Sequence, residues 1–172
     1  MHISAGNAVS AWLVLATDAC DDAGSEATGL PVRGLSALVL LRNRPAANVD
    51  WLHRRLDITQ SGAVRLVDRL ESSGLLRREK SPGRRDVALY VTEAGEALLG
   101  RGLGARARAI EGLLEPLSAA ERSRLAALIA KALAGGTRRR HEADVVCRLC
   151  DWDLCKPQCP VDASVIEGAS AR

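Results

Sequence analysis

The chain has 172 residues, 47% apolar and 26% charged, the size and balance of one folded domain rather than of a disordered chain. Only 2% of residues are aromatic, which argues against an aromatic-lined pocket or a base-stacking platform, and no apolar run approaches the ~18–20 residues of a membrane span. The net charge of +3 hides a segregation: residues 1–30 carry four acids and no Lys or Arg, whereas residues 31–108 carry 15 Lys and Arg against 8 Asp and Glu, which points to an anionic partner, nucleic acid first.

Near the N-terminus, Val9, Trp12, Leu13, Ala16, Ala19 and Cys20 follow the i, i+3, i+4, i+7 spacing of a helix. Ala11–Ala16 is short and no Lys or Arg precedes it, a poor signal peptide, so a cytoplasmic protein is expected. Asp21, Asp22, Ala23 and Gly24 are turn residues and are expected to end this helix. Trp12 and Cys20 are expected in a buried dimer seam. A second helix fits Val32–Arg42, between Pro31 and Pro45. Asn48 suits the N-cap of a short helix with Val49, Leu52 and Leu56 on one stripe. Asp57 and Ile58 make a break. Thr59 then caps a helix over Gln60–Ser73, with Ala63, Val64, Val67 and Leu70 inward and Gly74 as the stop. Trp51 reads as core and His53 as a surface residue rather than a metal ligand.

The pattern then changes to period two. Leu76–Glu79 and Val87–Val91 read as strands, and Ser81, Pro82 and Gly83 mark the turn of a hairpin with a basic tip. Thr92 caps a long helix to about Leu114, with Leu98, Leu99, Leu103, Ala107 and Ile110 among its apolar positions. Its Gly100, Gly102, Gly104 and Gly112 each cost ~1 kcal/mol against Ala, so it needs packing, and another chain is one source. Pro116 stops it. Ser118 and Glu121 form a capping box. It opens a last helix with Leu125, Leu128, Ile129, Ala132 and Leu133 on one face, closed by Gly135 and Gly136.

Helix, tight turn, helix and hairpin make the layout of a winged helix-turn-helix. A helix fits the major groove of B-DNA, and its N-terminal residues reach base edges and phosphates. The outward positions of the second helix are Gln60, Ser61, Gly62, Arg65 and Arg69. Gln60 and Ser61 suit base edges, and Gly62 permits close backbone approach. Arg65 suits guanine or phosphate, and Arg69, one turn on, suits phosphate. Arg84 and Arg85 lie beside the hairpin turn, where an Arg can enter a narrow minor groove. The alternative is that Arg65 and Arg69 are exposed residues paired with Asp68 and Glu71.

The run from Leu56 to Glu71, then Gly74, Leu75 and Leu76, Arg84 and Arg85, and Leu89 to Gly95 resembles the MarR family of bacterial transcriptional regulators. Glu115–Arg122 also resembles that family, and the likeness covers roughly residues 5–134. The resemblance implies a homodimer with interlocked terminal helices and two recognition helices on a pseudo-palindromic operator. It also implies an Asp two residues before the wing Arg, bracing the wing. Here Gly83 holds that place ahead of Arg85, and Asp86 is the available substitute.

Cys147, Cys150, Cys155 and Cys159 fall within one short segment. Clustered thiols in a chain with no export signal point to metal or redox chemistry rather than disulfides. The spacing is close to a zinc knuckle with Cys in place of its His. It is also similar to iron–sulfur ligation, where a Pro such as Pro160 commonly follows the last Cys. Zinc is the expected cofactor and an iron–sulfur cluster the runner-up. A thiol pair, Cys147 and Cys150, is the remaining reading. Arg138, Arg139, Arg140, Arg148 and Lys156 are near in sequence to offset thiolate charge, and His141 is a reserve ligand. So short a segment has no core of its own, and a metal would order it.

The expected fold is mainly α with a small β-hairpin wing. It comprises an N-terminal dimerisation helix (1–30), a winged helix-turn-helix (31–92), C-terminal dimerisation helices (93–135) and a Cys-rich tail (136–172). The expected function is non-enzymatic: a homodimeric, sequence-specific regulator of transcription on double-stranded DNA, a repressor, with a metal-binding tail that is structural or senses metal or redox state. The alternative from another class is a redox or electron-carrier protein built on the Cys cluster.

Overall fold

In the computed structural model, residues 4–80 and 87–166 are described. The first helix, α1 (Ala5–Thr28), runs straight through the break expected at Asp21–Gly24. A distant partner overrides the local turn preference there. Asp21 accepts a 2.6 Å bond from Arg106 of a later helix, and a Cβ at Gly24 would stand 3.2 Å from the Arg106 side chain and 3.3 Å from Leu35. The helix stops instead at Gly29, in the left-handed region at φ 69°, which glycine adopts without steric cost.

Helix α2 (Val32–Asn43) is the centre of the core. Gly34 through Leu41 are all buried, and the other elements pack round them. Helix α3 (Val49–Leu56) starts at Asn48, whose side chain accepts from the Trp51 N–H, and ends on Asp57 at φ 49°. Asp tolerates that left-handed conformation better than most residues. Thr59 caps α4 (Gln60–Ser72) by accepting from the Gly62 N–H. The buried stripe of α4 is Ala63, Leu66, Val67 and Leu70. Val64, expected inside, is 41% exposed, because residues 63, 66, 67 and 70 share one face at 3.6 residues per turn.

Strands β1 (Leu76–Lys80) and β2 (Val87–Val91) pair antiparallel, from Leu76 opposite Val91 to Lys80 opposite Val87. Ala47, just before α3, bridges to Leu89 and ties the hairpin to the helical core. Thr92 caps α5 (Glu93–Leu113), which packs along α1. The capping box of Ser118 and Glu121 opens α6 (Ala119–Ala134), a helix with no buried residue.

The Cys-rich segment is not a free tail. It forms α7 (Arg140–Val146), the short α8 (Trp152–Cys155) and a 3-10 turn at Asp162–Ser164. Its end returns to Arg138 through a parallel bridge between Arg138 and Val165. It docks on the helix-turn-helix through ion pairs Asp144–Arg55 at 2.7 Å and Asp151–Arg42 at 3.3 Å. Leu149 and Trp152 pack against the main core. Acids in the segment thus find basic partners far back in the chain and give it order that its own few apolar residues do not.

Two glycines of α5 serve close approach within the chain. A Cβ at Gly95 would strike the Leu75 carbonyl oxygen and stand 2.7 Å from Val91 Cγ1. A Cβ at Gly102 would stand 2.7 Å from Thr28 Cγ2 and 2.9 Å from Leu35 Cδ1. Gly100 has nothing within 4 Å of such a Cβ. Thermal unfolding is therefore expected to show Gly95→Ala and Gly102→Ala each losing about 1–3 kcal/mol from overpacking. Gly100→Ala should gain up to ~1 kcal/mol from helix propensity. Equal effects at the three positions would contradict this packing.

Candidate nucleic-acid interface

The recognition face is built by caps at both ends of a tight turn. Asp57 turns the chain sharply after α3. Thr59 then fixes the start of α4, its Oγ1 3.1 Å from the Gly62 nitrogen. A Cβ at Gly62 would sit 3.1 Å from that same Oγ1, so the absent side chain also leaves room for the cap. Gln60, Ser61, Arg65 and Arg69 are exposed, and Gly62 is half-buried at their base. The first turn of α4 carries no acid. Its unpaired N–H groups and the partial positive charge of the helix end both favour an anion.

Asp68 and Glu71 do not pair with Arg65 or Arg69. Both carboxylates are taken by Arg78 of β1, Asp68 at 2.6 Å and Glu71 at shorter range. Burial pulls the Arg78 guanidinium down, but the hydrogen bonds and charges of Asp68 and Glu71 outweigh it and hold its pKa above the usual Arg value. Among the described residues, Arg65 and Arg69 have no carboxylate partner. Arg78 thus braces the wing against α4, a role the sequence reading missed. The only advance signal was a basic residue inside a strand two turns after an acid pair. Arg77 stacks on Tyr90 across the hairpin, 4.6 Å from its ring centre, and also pairs with Glu79. The remaining wing candidates, Arg84 and Arg85, lie outside the described residues, as do Gly83 and Asp86.

A cleft of about 860 Å³ opens beside α4. Arg33, Arg55, Arg65, Arg69 and Arg148 line it, with Asp57 the acid among them. Basic side chains from α2, α3, α4 and the Cys-rich segment thereby reach one region. His53 bonds to Asp50 and to the Ile58 carbonyl, and so steadies the turn between α3 and α4. Trp51 is half-buried, with the Arg55 guanidinium 3.9 Å from its ring centre.

The four clustered cysteines line a second cavity, of about 430 Å³, together with Asp144, Trp152 and the bases Arg140 and Lys156. All are free thiols. Cys147 and Cys150 are linked by a hydrogen bond that raises the Cys147 thiol and lowers Cys150 to about 7. Burial opposes the Cys150 shift, and Arg106 and Arg148 reinforce it. Burial and the neighbouring Cys150 and Cys159 push Cys155 up. Among the described residues, no three Cys, His, Asp or Glu side chains are placed to hold a metal ion; the thiols share the cavity without converging on one point. His141 is not among the residues lining it. Cys20 lies apart, buried between α1 and α5, its Sγ 3.7 Å from the Arg106 carbonyl, and burial raises its pKa.

Apolar surface gathers elsewhere. Val9, Leu13, Val14 and Leu15 on α1 and Leu128 and Ile129 on α6 are exposed. Trp12 is half-buried, while Cys20 is covered within the single chain. Among the described residues, no helix is long and apolar enough to cross a membrane.

The MarR family model matches residues 28–85, the helix-turn-helix and the start of the wing. Comparison with curated protein sequences finds no match. Among solved structures, the chain is similar to the multiple antibiotic-resistance repressor of Listeria monocytogenes, at 26% identity and TM-score 0.61 over 73% of this chain and 88% of that one. It is also similar to the RV1404 protein of Mycobacterium tuberculosis, at 26% identity and TM-score 0.65 over 79% and 97%. MarR of E. coli in its apo form shares the fold at 20% identity and TM-score 0.62, over 77% and 99%. Residues 28–85 thus carry the MarR-family signature, and the chain has the winged-helix fold of the MarR regulators.

Proposed function

We propose that this chain is a homodimeric, sequence-specific DNA-binding regulator of transcription, acting as a repressor on a pseudo-palindromic operator. The observation that carries the reading is the charge arrangement on α4. Arg78 takes up both carboxylates of the helix, and Arg65 and Arg69 are left exposed beside Gln60 and Ser61. A helix that neutralised its own bases would gain little from a phosphate. This one presents Arg65 beside Gln60 and Ser61 at the end that a major groove receives, with Arg69 one turn further on for a phosphate. The α6 helix, with no buried residue, and the apolar residues exposed on α1 supply the surface for a second copy. Two-fold pairing would place two α4 helices on two half-sites. Similarity to a Listeria protein described as a repressor supports repression over activation. We read the four-cysteine segment as a metal-binding accessory of this regulator, because its four thiols line one cavity and its Asp144 docks on α3, the helix before α4.

Operator affinity measured by fluorescence anisotropy, on a duplex selected from a random pool, tests the DNA reading. Arg65→Ala and Arg69→Ala should each cost about 1–3 kcal/mol, and loss of a phosphate contact should reduce the salt slope by about one. Neither residue is buried or ion-paired among the described residues, so unfolding temperatures should hold. Unchanged affinity in both variants sinks the assignment. Arg78→Ala should leave Asp68 and Glu71 unneutralised on the DNA face. It should weaken operator binding by at least as much while costing only about 1 kcal/mol of stability, because the pair is partly exposed.

Sedimentation tests the dimer. Leu13 is 54% and Leu128 58% exposed in the single chain, so Leu13→Asp and Leu128→Asp cost little in an isolated protomer. Each is expected to shift the protein from two chains towards one and to weaken operator binding. A dimer undisturbed by both substitutions would place the interface elsewhere.

A further inference from the structure

We propose that Cys147, Cys150, Cys155 and Cys159 form a closed tetrathiolate site for Zn²⁺, and that filling it fastens α7 and α8 to α3, so that DNA affinity follows metal occupancy. The DNA half of this inference rests on the function proposed above; the metal half does not.

The backbone presents the thiols as two pairs on two turns. The Cys150 N–H donates to the Cys147 carbonyl at 3.0 Å, and the Gln158 N–H to the Cys155 carbonyl at 3.0 Å. Both turns open on the same cavity. The segment is thinly packed: Leu154 is 85% exposed, and its buried side chains reduce to Ala143, Asp144, Val161 and Ser164. A cross-link at the cavity is what such a segment lacks. Four soft sulfur donors select Zn²⁺ over magnesium or calcium, and a four-coordinate site with no open position is the structural class. Filling it replaces four S–H bonds with four Zn–S bonds. The four protons leave to solvent and no electron moves. The product carries excess negative charge, and Arg140 and Lys156 line the cavity to meet it.

The coupling runs through Asp144. It lines the thiol cavity and is itself bound to Arg55 of α3 at 2.7 Å, with both side chains nearly buried. Arg55 also donates to the Trp51 carbonyl at 3.2 Å and lines the cleft that Arg65 and Arg69 share. The Trp152 indole N–H donates to the Cys147 carbonyl at 2.8 Å while its ring packs against the core. A cation drawing the thiols together would therefore hold Cys147, Trp152 and Asp144 against the first helix of the DNA-reading pair. The filled state is the one with α3 and α4 held in place, so it is the tighter DNA binder.

The test uses the full chain purified without oxygen. Metal analysis and replacement by Co²⁺ decide the site. One zinc per chain supports it, with a Co²⁺ spectrum of four-thiolate intensity that falls to three in Cys159→Ser. Iron with sulfide, a Cys147–Cys150 disulfide or a metal-free chain overturns it. Stripping the zinc with a chelator should weaken binding to the selected duplex roughly fivefold or more. Asp144→Asn should keep its zinc and shrink that difference to about twofold or less. Equal affinity of loaded and stripped wild-type protein overturns the coupling. Amide exchange without DNA separates the two failures. Faster exchange in α3 of the stripped wild-type chain is expected even if no duplex is bound, and unchanged α3 exchange overturns the coupling on its own.

Discussion

Everything in this fold is arranged round the burial of α2. From Gly34 to Leu41 no residue reaches solvent, and Leu38, Leu40 and Leu41 are among the largest side chains fully removed from water. Each such Leu contributes roughly 1.5–3 kcal/mol of burial. A helix apolar on every side cannot lie at a surface. It obliges α1, α3, α5 and β2 to pack around it, which fixes where α3 ends and so where α4 begins. The wing is held from the same centre, since Leu89 of β2 is fully buried and bridged to Ala47. The helix-turn-helix and the wing thus hang on a buried apolar axis, and their own surfaces are free to be polar.

Charge is then distributed by internal pairing. Asp21 goes to Arg106, Asp144 to Arg55, Asp151 to Arg42, and Asp68 with Glu71 to Arg78. Each pair joins two separate elements. The bases left over on α4 are Arg65 and Arg69. Arg65 and Arg69 are left without an acid partner because Arg78 takes both carboxylates of the same helix. Surface pairs add little stability by themselves; what these pairs contribute is orientation, and at Asp144 a coupling made strong by burial.

Much of this was legible in the sequence because caps and periodicity are local. Asn48, Thr59, Thr92 and the Ser118–Glu121 box all cap where their residue types predicted. The hairpin followed from period-two alternation round a turn. What failed was decided at a distance. Asp21–Gly24 reads as a turn until Arg106, 85 positions later, takes the Asp21 carboxylate inside a helix. The Cys-rich segment reads as a tail until Asp144 finds Arg55, 89 positions away. Arg78 offered only a basic residue in a strand after an acid pair, too weak a pattern to single out a brace. Val64 was misplaced for a different reason: it sits at i−3 from Val67 and so passes the spacing rule, but the buried face is centred on Ala63, Leu66, Val67 and Leu70.

The docking of the Cys-rich segment changes what that segment can do. A metal site at the end of an unattached tail would report to nothing. Here the wall of the thiol cavity includes Asp144, and the next group along is Arg55, on the helix that precedes α4. The acid has little freedom to be replaced by water, because its side chain is only 6% exposed. Removing one partner of such a pair leaves a buried charge and costs about 3–5 kcal/mol, more than the coupling energy of an ordinary allosteric protein at about 1–3 kcal/mol. Under the proposed coupling, only part of that energy has to reach α3 when the segment's hold on Asp144 changes. The route is short: Asp144, then Arg55 on α3, then α4 across the turn at Asp57.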